Sequence, residues 1–531
     1  MSATDNTSRL VSATTSRTRV VVLLALVIAL ALYLLLAITF RIGTFPALHG
    51  DEAYFGLTAL DMLQHGLQSP HASNTYTGPL EAAWVALIFA VSQPSVAALR
   101  SSALLANGSA WLLWAWLRFR RGGPRAALPI LLLIAASPLL LFMARLAWEV
   151  SALQGILLAG LLGAVASRER SVQPSRWTSA CYLCAAWLGV SSHFIFLTVL
   201  MALFLGAVAA VRADTSDREA PTVLLTAAGL ALGVVLFIVK PRLSVDHFAA
   251  HAIAYSVVWA LAPLLVLALL EERWLTAIAV LGLFAVAKPA PRALKFLTVL
   301  SALWFLGSGL GLGLLDLMAG PVFYKGFAAW AQPWWLVTTL YALAACVLLA
   351  ALHEIVRVLK TSPAQNAPVT ERWLASAIAL WPLCLLASGT FKTSLRYYLP
   401  IYPVLLWFIA DRLERRAAWR GLRPSVIAAA LASLLLWMPL LQGMRGQPLK
   451  YRMGNRLENA HHYLPLDALL AHARELRVCH FDGDHFLREP LTFLARVQPY
   501  PCDDQRVLRV RYTLDRPPYW AAELASEQTD P

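Results

Sequence analysis

Long apolar segments separated by short polar connections dominate this chain. Residues 20–40 form the first, close to the roughly 20 residues that a helix needs to cross a bilayer at about 1.5 Å per residue. Because backbone amides in hydrocarbon need partners within their own segment, such segments predict helices. Residues 80–91 are apolar but short, and predict an interfacial or re-entrant helix. The further long segments are 96–117, 126–144, 150–166, 177–190, 194–211, 223–239, 252–270, 275–287, 296–315, 334–356, 373–386, 399–410 and 426–441.

The composition favours the same class of protein. Hydrophobic residues make up 59% of the 531 residues and charged residues 14%, with a mean hydropathy of +0.62. Soluble globular proteins have about 45–50% apolar and about 25% charged residues. Water-soluble, disordered, fibrous and nucleic-acid-binding proteins are therefore excluded. The net charge of +14 then indicates basic cytoplasmic loops rather than a nucleic-acid surface.

The arginine distribution predicts the orientation of these segments. Residues 118–125 carry four arginines and no acid, and residues 411–423 carry five, so both loops are expected on the cytoplasmic side. Residues 41–78 carry one arginine among several acids and should face outward, as should the turn at 145–149. Residues 167–176 are basic as well, and an even number of crossings must separate them from 411–423. One of the nine segments between these loops is therefore expected not to cross, with 275–287 and 399–410 as the candidates, which leaves about 13 spans and the C-terminus outside.

Three regions follow from this pattern. Residues 1–19 are expected to be a disordered cytoplasmic tail. Residues 20–441 form an all-α polytopic membrane domain whose first outer loop is 41–95. Residues 442–531 are polar and contain strand-like runs such as 507–512, which predicts a small extracytoplasmic α/β domain or a cap on the membrane domain.

Cys479 and Cys502 are the two cysteines outside the apolar segments. An oxidising periplasm permits a disulfide between them, and the loop geometry decides whether it forms. The segment between His480 and His485 resembles a metal cluster in composition. An Asp-Gly turn between two elements accounts for it better.

Asp51 and Glu52 follow directly after the first span. Apolar residues at helical spacing over 53–63 predict an amphipathic helix on the outer surface, with both acids at its N-terminus. Negative charge is favoured there by free amides and the helix dipole, so Asp51 as an N-cap and Glu52 as a dipole partner is one interpretation. The other is catalytic, because adjacent carboxylates are costly to desolvate at a membrane surface.

Glu149 opens the helix after the next outward turn, either as a helix-start acid paired with Arg145 or as a second catalytic acid. Acids in two outward loops fit a site at the membrane–water boundary, where a lipid phosphate presents its head group. Arg396 lies near the outer end of a span and either clamps a phosphate or snorkels in an aromatic belt. The candidate substrate contacts are Tyr54, Tyr76, Arg145, Lys240, Arg396 and Tyr397.

Cofactor signals are weaker. His247 and His251 have i, i+4 spacing that could bind a divalent cation, although a polar interfacial turn explains them better. The cofactor is therefore open. No Walker A loop, Rossmann fingerprint or HExxH motif occurs, which argues against nucleotide-driven transport and zincin proteolysis.

These motifs, in order, resemble the GT-C superfamily of membrane glycosyltransferases. Gly50-Asp51-Glu52-Ala53-Tyr54 resembles its first outer loop, and the resemblance is strongest to the bacterial branch related to protein O-mannosyltransferases and the aminoarabinose transferase of lipid A. It covers the first 165 residues well and the rest mainly by topology. Gly78 stands where the aminoarabinose branch has a lysine. Four more stretches match the pattern: Tyr76–Leu80, Ala98–Arg100 with the basic loop after it, Ser137–Glu149 and Arg396–Pro400.

The resemblance implies a GT-C fold in the bacterial inner membrane, with the active site facing the periplasm. It implies a polyprenyl-phosphate sugar donor, a lipid, glycan or protein acceptor, and an inverting single displacement. Asp51 would be the general base. Glu149 would orient the acceptor or a bound cation, and Arg396 would contact the lipid phosphate.

Two other functions compete with this one. A secondary transporter or flippase would place its acids near the bilayer midplane in broken helices, whereas Asp51, Glu52 and Glu149 lie at span ends. An O-antigen ligase or polymerase would centre on basic residues in a large loop rather than on an early acidic pair. The sequence therefore favours the glycosyltransferase.

Overall fold

The computed structural model describes part of the chain, and the account below is confined to that part. The predicted tail 1–19 and the predicted segments 252–270, 275–287, 296–315 and 426–441 lie outside it. The described residues are 48–66, 80–135, 144–148, 176–193, 195–213, 225–233, 369–387, 401–415, 466–483, 485–512 and 520–524, with shorter pieces between 21 and 44 and at 140, 160, 353 and 355–359.

Helices dominate the described part of the predicted membrane domain, as the apolar segments indicate. The number of spans and their orientation stay predictions. The helices are α1 (Gly50–His65), α2 (Leu80–Val91), α3 (Val96–Gly122), α4 (Pro124–Ala135), α5 (Arg176–Ser192), α6 (Phe196–Ala213), α7 (Val369–Ala387) and α8 (Tyr402–Arg415).

Helix α1 begins with a capping box. The Nδ1 atom of His49 accepts a hydrogen bond from the backbone N–H of Asp51 at 3.0 Å, and the His49 N–H donates to Oε2 of Glu52 at 3.1 Å. The interpretation of Asp51 as the N-cap is therefore wrong, because His49 satisfies the first free amides. The helix ends at His65, before Gly66 with φ of 66°.

The predicted helix over 53–63 is confirmed, and its position at the outer surface of the membrane stays a prediction. Ten residues of α1 are buried, among them Phe55, Leu57 and Met62. Helix α2 covers one side of α1, and a helix from the C-terminal region covers another. Helix α1 is thus enclosed by the next helix in the sequence and by one that lies more than 400 residues later.

Helices α2 and α3 are separate, as the short apolar segment at 80–91 predicts. They meet at an angle of 119° across residues 92–95. Ser95 caps α3 by accepting a hydrogen bond from the Ala98 N–H at 3.1 Å. Among the described residues, no single helix has both the length and the apolarity to cross a membrane, whereas α2 and α3 meet that criterion as a bent pair.

The larger hydrophobic core centres on α6 and α7. The two backbones approach closely at Gly206, where a Cβ atom would lie 2.7 Å from the Ala377 nitrogen. Indole N–H groups of α7 reinforce the contact. Trp373 donates to the Leu203 carbonyl at 2.7 Å, and Trp381 donates to the Thr198 hydroxyl at 3.1 Å.

The described C-terminal region alternates helices and strands, in agreement with the predicted α/β character. Strands β1 and β2 pair in parallel with a helix between them, and β3 pairs antiparallel to β2. Its elements are α9 (Leu466–Glu475), β1 (Val478–Gly483), α10 (His485–Val497), β2 (Asp503–Tyr512) and β3 (Trp520–Leu524).

Two features of this region answer questions that the sequence leaves open. Cys479 and Cys502 form a disulfide, with their Cα atoms 5.8 Å apart. The Asp-Gly turn is present, since β1 ends at Gly483, whose φ is 115° and whose N–H donates to the Asp482 side chain at 2.7 Å. Side chains of this region share a hydrophobic core with α1 and α2, so it packs as a cap on them.

Candidate active site

Glu52 lies at the centre of a fully buried hydrogen-bond network. Its carboxylate accepts from Arg100 twice, through Nε and Nη2, each at 2.9 Å. The backbone N–H of Ala147 donates to Oε1 at 3.0 Å, and that of His49 donates to Oε2. Four donors therefore occupy this carboxylate, and the desolvation cost of a buried ion pair is offset by good geometry.

The network joins three parts of the chain that are distant in sequence. Arg100, on α3, also donates from Nη1 to the carbonyl of Ile42 at 3.0 Å. Glu52 opens α1, and Ala147 belongs to the turn that the arginine distribution predicts to face outward. These segments are thus held together by a single ion pair whose partners are both shielded from solvent.

Asp51 precedes this buried carboxylate and retains access to solvent, with its side chain 24% exposed. One of its oxygens lies 3.7 Å from Nδ1 of His49. Since Nδ1 accepts the Asp51 N–H, it carries no proton in this geometry, and the contact with the carboxylate is not an ion pair. Asp51 is therefore the acid of the pair that can meet a substrate.

Aromatic packing holds His49 in place. Its ring meets that of Trp148 edge-on, with the centroids 4.7 Å apart, and both side chains are buried. Trp148 belongs to the same turn as Ala147. The turn therefore contacts the start of α1 through both a ring and a backbone amide, which limits rotation of the helix N-terminus.

Arg145 brings a second buried guanidinium to this network. Burial lowers its pKa to about 9, with a further decrease from Arg100 and an opposing increase from Glu52. Arg145 is consequently protonated at neutral pH. Two cationic side chains therefore lie around one buried carboxylate, and an anionic group placed beside Arg145 would raise its pKa again.

The structure brings together the predicted site residues Asp51, Glu52 and Arg145, and places Tyr54 half-buried in the first turn of the same helix. In the described part of the chain, no group of three or more His, Cys, Asp or Glu side chains could hold a metal ion. The other predicted site residues lie outside the described residues: Tyr76, Glu149, Lys240, His247, His251, Arg396 and Tyr397.

His49 and Arg100 contribute to the site although sequence reasoning did not assign them a role in it. His49 stands three residues before Glu52, which is the spacing of a capping box, but histidine is not among the usual capping residues. Arg100 lies 48 residues from Glu52, and no local pattern links the two.

No protein-family model and no curated protein matches the chain. It is similar to the crystal structure of ArnT, an aminoarabinose transferase, from Cupriavidus metallidurans in the apo state, with 15% identity over 94% of this chain and 93% of that one and a TM-score of 0.43. For ArnT bound to undecaprenyl phosphate, the identity is 14%, the coverage is 92% of each chain and the TM-score is 0.37.

An oligosaccharyltransferase from Archaeoglobus fulgidus, solved in complex with zinc and sulfate, is also similar. Its identity is 17%, over 85% of this chain and 55% of that chain, with a TM-score of 0.45. This chain therefore matches about half the length of that enzyme. ArnT and this enzyme are both membrane glycosyltransferases of the GT-C superfamily, which is the superfamily that the sequence motifs resemble.

Proposed function

We propose that this protein is a membrane glycosyltransferase that moves a sugar from a polyprenyl-phosphate donor to an acceptor hydroxyl. The reaction takes place on the periplasmic face of the bacterial inner membrane. One observation carries the proposal: Asp51 is partly exposed to solvent and directly precedes Glu52, whose buried carboxylate lies near two buried arginines.

Asp51 acts as the general base in this proposal. Its carboxylate takes the proton of the acceptor hydroxyl while the acceptor oxygen forms a bond to the anomeric carbon. The bond between that carbon and the phosphate oxygen breaks, and the lipid phosphate leaves with the electron pair. Configuration at the sugar inverts. Base catalysis of this kind contributes about 10²–10⁴-fold to the rate.

Glu52 has a different role. Its oxygens already accept four hydrogen bonds, so it has no free position from which to remove a substrate proton. Glu52 positions Asp51 and the turn that carries Arg145. The two adjacent acids therefore have different roles: Glu52 fixes the local geometry, and Asp51 contacts the acceptor.

The leaving phosphate requires cations rather than an acid, because a phosphate monoester is a good leaving group. Arg145 supplies one of these cations from its buried position near Glu52 and Arg100. Lys240, Arg396 and Tyr397 complete the phosphate contacts. Electrostatic stabilisation by such groups acts where charge develops on the departing oxygen.

The remaining predicted residues complete the site. Glu149 orients the acceptor or holds a divalent cation, and Tyr54 and Tyr76 line the substrate cavity. The activated donor makes nucleotide hydrolysis unnecessary, consistent with a sequence that has no Walker A motif. Holding the two substrates in an attack geometry supplies much of the remaining acceleration.

The purified protein in detergent tests this proposal directly. A panel of radiolabelled polyprenyl-phosphate sugars is offered with lipid, glycan and peptide acceptors, and the release of lipid phosphate is measured with and without EDTA. We expect turnover of one donor in the wild type. Loss of turnover with EDTA would assign a divalent cation to the reaction.

The Asp51→Asn variant tests the role of the base. We expect kcat to fall by about 10²–10⁴-fold with little change in donor KM, because only proton removal is lost. Asp467→Asn is the matched control, since Asp467 also lies in the first turn of a helix but is exposed in the C-terminal region. Wild-type turnover in Asp51→Asn would reject the base role.

A further inference from the structure

The C-terminal region contacts the helix that carries Asp51. Helix α10 lies against α1, and side chains from both are buried in one hydrophobic core that also includes α2. Phe493 of α10 is fully buried in this core. The partly exposed acid of the proposed site therefore belongs to a helix whose position depends on residues more than 400 positions later in the chain.

Gly56 allows the close approach of the two helices. A Cβ atom at this position would lie 2.5 Å from Cε2 of Phe493. The ring has little room to move away, because it also stacks on Phe89 of α2 with centroids 6.3 Å apart and an interplanar angle of 24°. Phe493 thus fills the space between α1 and α2, one turn beyond Glu52.

An ion pair forms a second anchor between the same two helices. Nη1 of Arg496 donates to Oδ1 of Asp61 at 2.6 Å. Asp61 is 5% exposed, whereas the side chain of Arg496 is 45% exposed. Phe493 and Arg496 are one turn apart on α10, so a hydrophobic contact and a charged one act side by side.

The disulfide supports the helix that carries both anchors. Cys479 lies in β1 and Cys502 lies just before β2, and the whole of α10 falls between them. The covalent link and the parallel pairing of β1 with β2 fix both ends of this segment. Helix α10 is thus a firm support for α1.

We infer that Phe493 and Arg496 are positioning residues for the sugar transfer, acting through α1 without touching either substrate. This inference rests on the proposed function. Asp51 lies ten residues from Asp61, or about 15 Å along the helix. A tilt of about 4° at Asp61 therefore moves Asp51 by about 1 Å, and a misplacement of about 1 Å can cost about 10²-fold in rate.

The Arg496→Met variant tests the charged anchor. We expect kcat per donor-binding site to fall about tenfold, with the dissociation constant of the donor unchanged within about twofold. Arg496→Lys keeps the charge and should retain most of the wild-type kcat. Arg488→Met is the matched control, because Arg488 pairs with Glu489 inside α10, and it should keep the wild-type rate.

The Gly56→Ala variant tests the hydrophobic anchor. The added methyl group displaces the Phe493 ring, so we expect kcat to fall by about the same factor. Combining it with Phe493→Leu removes the obstructing ring atoms and should restore part of the lost rate.

Hydrogen exchange at residues 50–56 is expected to be faster in Arg496→Met than in the wild type, whichever sugar the enzyme uses.

The outcomes separate the two proposals. A wild type that releases no lipid phosphate from any donor in the panel defeats the proposed function, and the positioning role with it. If the wild type is active, unchanged kcat per donor-binding site in Arg496→Met overturns the positioning role alone. The positioning role is also overturned if Arg496→Met only reduces the number of folded, donor-binding molecules while kcat per site is unchanged. Unchanged hydrogen exchange at residues 50–56 in this variant would overturn it as well.

Discussion

Helix α3 carries a buried arginine near each end, and the two ends do different things. Arg100 pairs with Glu52, and Arg118 pairs with Asp411 of α8. They are eighteen residues apart, or about 27 Å along the helix, close to the roughly 30 Å of a bilayer core. Both guanidiniums and both carboxylates are buried, so burial and charge alone do not distinguish the two ends.

The surroundings of each pair do distinguish them. At the far end, Arg118 lies over the ring of Trp407 at 5.3 Å and donates to the Ala126 carbonyl at 3.3 Å, and Arg121 reaches Asp411 at 3.4 Å. These contacts join α3 to α4 and α8. They also bring together the starts of two arginine-rich segments that the sequence predicts on one side of the membrane.

At the other end, the ion pair joins α1 to α3 and also holds a turn and a helix cap. Glu52 accepts hydrogen bonds from Ala147, in the turn that follows α4 in the sequence, and from His49, which caps α1, while the adjacent Asp51 stays partly exposed. A buried ion pair is therefore weak evidence for a functional site. The informative feature is an exposed acid held in place by such a pair.

The Glu52→Gln variant should show the largest effect. The change leaves the Arg100 charge buried without its counter-charge, which costs about 3–5 kcal/mol of unfolding free energy. It also loosens the segments around Asp51, so we expect kcat per folded molecule to fall by at least about 10²-fold. Denaturant unfolding in detergent and the rate of sugar release measure the two effects. Normal turnover per folded molecule would remove Glu52 from the positioning role.

The Arg118→Met variant is expected to affect stability alone. Asp411 loses its closest charged partner and keeps the longer contact with Arg121, so the unfolding free energy should drop by about 3–4 kcal/mol. The kcat per folded molecule should equal that of the wild type, since Arg118 lies about 27 Å from Arg100 along α3. The same two assays apply. A parallel fall in kcat would mean that the two ends of α3 are coupled.

Replacing Cys479 and Cys502 by serine should have an intermediate effect, on the stability of the C-terminal region that packs against α1. The disulfide closes a loop with a sequence separation of 23, and its removal should cost the C-terminal region about 3 kcal/mol. Unfolding of this region is followed by proteolysis or hydrogen exchange. Dithiothreitol should bring the wild type to the level of the double variant and leave the variant unchanged. Equal stability before and after reduction would contradict this account.

Arg511→Ala should have the smallest effect. Arg511 donates to Glu523 at 3.0 Å between β2 and β3, but both side chains are about two-thirds exposed. Exposed pairs of this kind contribute less than about 1 kcal/mol, because water and salt screen them. Unfolding in low and high salt measures the difference. A loss of unfolding free energy as large as that expected for Arg118→Met would show that solvent exposure does not distinguish weak ion pairs from strong ones.

Local features of this protein were accessible to sequence reasoning. The break before α3, the helix that begins with Asp51 and Glu52, and the strand at 507–512 all occur where the pattern places them. Each depends on residues within one or two turns of one another, through apolar spacing or capping. The same holds for the Asp-Gly turn at Gly483.

Long-range partners were not accessible in this way. The burial of α1 was not predicted, because α10 covers this helix through Phe493 and Arg496. The packing of α10 on α1 joins segments more than 400 residues apart, and the local sequence pattern of residues 50–65 contains no signal for it. The pairing of Arg100 with Glu52 has the same origin.

By itself, the sequence determined which chemical groups lie near the predicted outer loops: two acids at a helix start, and an arginine and a glutamate in a later turn, within an apolar chain. Only the tertiary structure decided that Glu52 is buried in an ion pair and that Asp51 remains partly exposed to solvent. The physical reason is that hydrogen-bond capacity belongs to each residue, whereas its use depends on which distant donors the fold brings within 3 Å.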